Sequence, residues 1–64
     1  MRMLPFLDPE GDEVYIDCDA VVKISKVIPD RPGYSELSLL NGASQVVRGT
    51  RKEVAETVQG EKHE

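Results

Sequence analysis

Four carboxylates crowd the stretch DPEGDE, at Asp8, Glu10, Asp12 and Glu13. Closely spaced carboxylates in a turn suit a hard cation, because calcium is held by several oxygen ligands at once. The twelve-residue calcium loop requires Gly at its sixth position and a bidentate Glu at its twelfth. Counted from Asp8, those positions hold Glu13 and Asp19. The spacing fails, and the stretch reads as a solvated acidic turn with no metal. Cys18 is the one nucleophile of note, and it sits between Asp17 and Asp19. Flanking carboxylates raise a thiol's pKa, whereas activation needs a nearby cation or a helix N-terminus. The single His is His63, far along the chain in a polar tail. A Cys–His couple is therefore not expected, and neither is a zinc site, which takes four ligands. No catalytic or cofactor-binding residue is assigned.

The third chemically suggestive stretch is LLNGASQVVRGTRKEV, from Leu39 to Val54, with Arg48, Arg51 and Lys52 beside a helix start. Gly-rich phosphate loops need several glycines, or a Lys-Ser/Thr pair, between strand and helix. Gly49-Thr50 supplies one glycine and no such pair. The stretch reads first as a turn followed by a helix cap. A helix N-terminus still attracts anions, so a contact at Arg48, Arg51 and Lys52 is carried as a secondary expectation. Together with Lys23 and Lys26, these bases define the nucleic-acid alternative. Tyr15 is expected to stand on the face opposite Val14 and Ile16, where it would mark an interface.

The elements that must position these residues follow from periodicity and punctuation. Met3 to Leu7 reads as a first strand, with Pro5 confining it to an edge or a bulge. Pro9 and Gly11 make a turn, and Val14–Ile16 is the return strand of a hairpin. Asp17 to Ala20 is a corner. Val21 to Ile28 alternates, with Val22, Ile24 and Ile28 on one face and Lys23 and Ser25 on the other, which predicts a half-buried strand. PDRPG, residues 29 to 33, is a loop. Tyr34 to Leu40 alternates again, with Leu37 and Leu39 inward and Glu36 and Ser38 outward. Asn41-Gly42 is a strong hairpin signal, and Ser44 to Arg48 is the last strand. Thr50 and Glu53 form a T-x-x-E capping box that opens a helix running to Gln59. Val54, Ala55 and Val58 give that helix its buried side, and Gly60 is a natural C-terminal stop.

The expected fold is mostly β with one C-terminal helix: five short antiparallel strands in a twisted sheet or small barrel, with the helix packed on it. Residues 1–60 form a single domain and 61–64 a flexible tail. A chain of 64 residues buries only about 60% of its unfolded surface. One cysteine allows no internal disulfide, so homo-oligomerisation is the expected further source of stability. The lone cysteine fits a reducing compartment, no secretory leader is apparent, and no apolar run reaches the roughly 18 residues of a membrane helix. A cytoplasmic location is the expectation.

Net charge is −4, unevenly spread. Residues 1–19 hold six acids against Arg2, whereas residues 20–59 hold six bases against four acids. Overall acidity argues against indiscriminate nucleic-acid binding, which rests on neutralising phosphates.

The order L-D-x-x-G-x-x-V-Y-I-x-x-D-A-V (Leu7–Val21), then KISKVI, then LSLLNG and VVRGTRKEVAETV, resembles the small flagellar-and-swarming-motility proteins, the FlbD-like group. The likeness runs from Leu4 to Val58 in turn and cap motifs. The family's Asn-Pro-Asp step is Asp17-Cys18-Asp19 here, without the Asn-Pro, and PDRPG is longer than usual. The resemblance implies a non-enzymatic accessory or regulatory protein acting through protein contacts. It carries over no catalytic or cofactor residue. A fainter similarity, Val47-Arg48-Gly49-Thr50 with Glu53-Val54, is to LytTR-type DNA-binding domains, which are longer. It implies a small nucleic-acid-binding regulator as the alternative to a protein-interaction module.

Overall fold

The computed structural model describes residues 1–60. Two antiparallel sheets and one helix enclose a small core. The first sheet pairs β1 (Met3–Leu7) with β2 (Glu13–Asp17), and the second has the order β3 (Val21–Ser25), β4 (Tyr34–Leu39), β5 (Ser44–Arg48). The helix α1 (Arg51–Gln59) follows β5 directly. The fold is thus mostly β with one C-terminal helix, its five strands divided two and three. The tail at 61–64 lies outside the described residues.

The β1–β2 turn is built by Asp8. Its carboxylate accepts from the backbone N–H of Glu10 at 3.0 Å and of Asp12 at 2.9 Å. Such side-chain mimicry of a backbone turn is why Asp favours this position. Asp17 repeats the device, accepting from the Asp19 N–H at 3.0 Å and capping a 3₁₀ turn, Cys18–Ala20. That turn carries the chain from the first sheet to the second. The β4–β5 connection lies at Asn41-Gly42 as expected. Leu39 N–H bonds Ala43 C=O at 2.9 Å, so three residues, Leu40 to Gly42, span it. Gly42, at φ +89°, supplies the left-handed residue that three-residue hairpins use.

Alternation works for β4: Leu37 is fully buried and Leu39 packs on the core. It fails for β3. The register slips between Val21 and Lys23, so Val22 is a bulge residue. Val21 and Ile24 then pack on the core, while Val22 is 58% exposed. A bulge sets two residues against one and breaks the period of two. The strand also ends at Ser25 rather than at Ile28. Prolines at 29 and 32 bar further ladder bonds, β4 begins only at Tyr34, and Ile28 stands in solvent.

Phe6, Ile16, Cys18, Leu37, Val47 and Val54 make the core, with Leu4, Val14, Val21, Ile24, Leu39 and Val58 packed around it. The capping box on α1 is complete: Glu53 N–H donates to Thr50 Oγ1 and Thr50 N–H to Glu53 Oε1, each at 3.1 Å. Gly60 closes the helix in the left-handed conformation, at φ +69°. Val54 and Val58 face inward as the i,i+4 spacing predicts.

Candidate functional site

The outer face of the β1–β2 hairpin is the most conspicuous surface. Its register sets Met3 opposite Asp17, Pro5 opposite Tyr15 and Leu7 opposite Glu13. Side chains alternate across a strand, so these six residues share one face, while Leu4, Phe6, Val14 and Ile16 share the other and meet the core. Tyr15 is 57% exposed, Met3 47% and Leu7 44%. Single exposed apolar residues are ordinary, but contiguous ones mark interaction surfaces. Four apolar side chains stand together here, bounded by two carboxylates.

This face runs into a recess of about 370 Å³ between the hairpin and α1, lined by Pro5, Phe6, Leu7, Val54 and Thr57 together with Glu13, Glu53 and Arg48. The Arg48 guanidinium donates to the Pro9 carbonyl at 3.3 Å. It therefore serves to tie β5 to the acidic turn of the hairpin.

The five bases named from sequence divide among three places. Arg48 is drawn to the β1–β2 turn. Lys23 lines a recess between β3 and α1 with Val22, Val58 and Gln59. Arg51 and Lys52 line a third depression together with Lys26 and with Arg31 of the PDRPG loop. The guanidinium of Arg31 lies over the Tyr34 ring, 4.3 Å from its centroid. A basic residue three positions ahead of a strand-opening aromatic is the sequence signal for it.

Arg2 was also missed. Its side chain donates to the Asp19 carboxylate at 3.3 Å and to the Val58 carbonyl at the C-terminal end of α1. The same Asp19 receives the N-terminal ammonium at 3.4 Å. Hydrogen bonding from Arg2 is the main reason the Asp19 carboxyl is held below its ordinary value. A cation at this place complements the negative end of the helix.

Cys18 is buried. Burial pushes its thiol up; Arg2 opposes this, and Asp17 and Asp19 add to it. A buried thiol with a raised pKa is a packing residue rather than a nucleophile. The Asp8, Glu10 and Asp12 carboxylates lie within 4.8 Å of one another, a convergence that follows from Asp8 folding the turn around itself. Among the described residues, no helix is long and apolar enough to cross a membrane. Compared with protein-family models, with curated proteins and with solved structures, the chain finds no match.

Proposed function

We propose that the chain is a non-enzymatic interaction module that docks a partner protein through the outer face of the β1–β2 hairpin. The observation that carries this reading is the exposed set Met3, Pro5, Leu7 and Tyr15 on one side of one hairpin. Burying such side chains stabilises a complex by about 25 cal/mol per Å² of apolar surface removed from water. Aromatic residues, Tyr among them, recur as energetic anchors of interfaces. The partner's chemistry follows from the boundary of the face. Glu13 and Asp17 edge it, Glu53 edges the adjoining recess, and a partner with an apolar centre and a lysine or arginine rim complements them.

A second copy set face to face brings four carboxylates into one small interface, with no base among the six face residues. Homo-oligomerisation, the expectation from chain length, therefore needs a different surface. The resemblance to small flagellar-and-swarming-motility proteins makes motility components and their regulators the partners to try first. Placement in the cytoplasm belongs to the same proposal.

Tyr15→Ala and Leu7→Ser test the reading. Both residues are exposed, so both variants keep the wild-type circular dichroism spectrum and melting temperature within a few degrees. Partner binding, read by photo-crosslinking from the hairpin face, weakens about tenfold or more for each. Unchanged binding in two folded variants refutes the proposal.

A further inference from the structure

Four of the chain's eight bases line one depression: Lys26 and Arg31 from the β3–β4 loop, and Arg51 and Lys52 from the first turn of α1. Asp30 is the only acid on its wall. The ion pairs found among the described residues both fall on Asp19, so none neutralises these four. A chain of net charge −4 thus gathers four bases at a single place, with no ion pair to them among the described residues. We propose that this depression binds a small ligand carrying two or more phosphate groups, of the inorganic diphosphate or nucleoside diphosphate class.

The positions of the bases point to a ligand. First-turn sites favour Asp and Glu, because the positive end of the helix dipole lies there. Arg51 and Lys52 occupy them against that preference. The Thr50–Glu53 box takes the N–H groups of Thr50 and Glu53, so the side-chain charges carry the site. Local preference is commonly overridden where a site must be built. Arg31 is held by its stack on Tyr34, which preorients its donor fork for bidentate contact with phosphate.

The walls are also fixed relative to each other. Gly49 N–H donates to the Gly33 carbonyl at 2.7 Å, joining the loop wall to the helix wall. Fully buried Ser35 donates its hydroxyl to the Gly49 carbonyl at 2.8 Å. The depression, about 630 Å³, falls in the range of small-ligand sites. Its concave cluster suits a compact polyanion better than a nucleic-acid backbone, which needs charge spread along a track. Lys23 and Arg48, which would extend such a track, line other recesses.

The test is a titration of the ¹⁵N-labelled chain with inorganic diphosphate, a nucleoside diphosphate and a single-stranded oligonucleotide in separate arms. Wild type is compared with the double variant Arg51→Gln, Lys52→Gln. Both substitutions are on exposed first-turn residues and relieve charge at the helix start, so the variant stays folded. The expected result is saturable shifts confined to Lys26, Asp30–Tyr34 and Thr50–Lys52. Affinity falls about tenfold or more in the double variant. Equal binding of the two diphosphates means that phosphates alone are read. Tighter nucleoside binding with added shifts at Pro32 and Tyr34 means that the base is read as well. Non-saturable shifts, or equal affinity in the double variant, overturn the proposal. Oligonucleotide binding that is tighter than either diphosphate and spreads to Lys23 and Arg48 also overturns it, in favour of a nucleic-acid surface.

Discussion

Replacing Gly49 by alanine removes no contact, yet two separate penalties follow from its position. Its φ is +122°, a region L-residues rarely enter, and holding one there costs about 1–3 kcal/mol. The added Cβ would also lie 3.0 Å from Cγ2 of Val54. Val54 is a buried member of the core, and a β-branched side chain in a helix has one strongly preferred rotamer. It cannot swing away, so overpacking adds about 1–3 kcal/mol. The two add to roughly 2–6 kcal/mol, and the midpoint, about 4, rivals the whole stability of about 3–5 kcal/mol that a core this small supplies. Each kcal/mol moves the midpoint by about 4–8 °C in a domain of this size, so Gly49→Ala lowers Tm by about 15 °C or more. Gly42→Ala is the control: its φ is similarly positive, at +89°, but nothing lies within 4 Å of the new Cβ. It loses only the strain part. Thermal and urea unfolding by circular dichroism measure both variants. A Gly49→Ala, Val54→Ala double variant isolates the clash, since the two changes then sum to less than their separate effects. Equal melting of the Gly49 and Gly42 variants, or strict additivity in the cycle, refutes the reasoning.

Ser35→Ala removes the hydroxyl that donates to the Gly49 carbonyl; a lost buried hydrogen bond of this kind costs about 1–2 kcal/mol, read as a lower urea midpoint with unchanged slope. Because the folded-state pKa of Asp19 is depressed below its ordinary 3.8, its contribution to stability is present above 3.8 and is lost as pH falls through the lower folded value. The Tm difference between wild type and Asp19→Asn is therefore constant near neutral pH and closes only at acid pH; a gap unchanged down to pH ~2 contradicts the Arg2–Asp19 linkage. Cys18, buried with its thiol pushed up, reacts with an aromatic disulfide reagent only as fast as the fold opens, so native labelling is slow and becomes fast in urea; rapid native labelling shows the thiol to be accessible.

What the sequence made legible was local. The Thr50–Glu53 box, the Gly60 stop, the Asn41-Gly42 turn and the Leu37–Leu39 alternation each depend on residues a few positions apart, and each forms, though the turn takes in Leu40, which alternation assigns to the strand. The bulge at Val22 was hidden because Val21 and Val22 are the same residue type, so either fits the inward position. Val27 and Ile28 continue the apolar pattern past Ser25, but the missing partner residues on β4 end the strand there. The division into two sheets depends on the corner at Cys18–Ala20 and on pairing across the chain, which periodicity does not encode. The sites follow the same rule. Exposure of Tyr15 was readable from alternation against Val14 and Ile16. Its company with Met3, Pro5 and Leu7 required the hairpin register. Lys23, Arg48, Arg51 and Lys52 were grouped by type, whereas tertiary structure sends Arg48 to the Pro9 carbonyl and brings Arg31 to Arg51 and Lys52. Arg2 reaches residues 17 and 56 positions away, which no local pattern signals.

Docking through the hairpin face is tested most directly by a photo-crosslinking side chain placed at position 15, in cells that express the chain, with the same group at exposed Leu40 for comparison. The account predicts a discrete heterologous adduct from position 15 that is absent from position 40, lost on Leu7→Ser, and formed with a protein whose contact surface is rich in lysine and arginine. No adduct, or the same adducts from both positions, would contradict it.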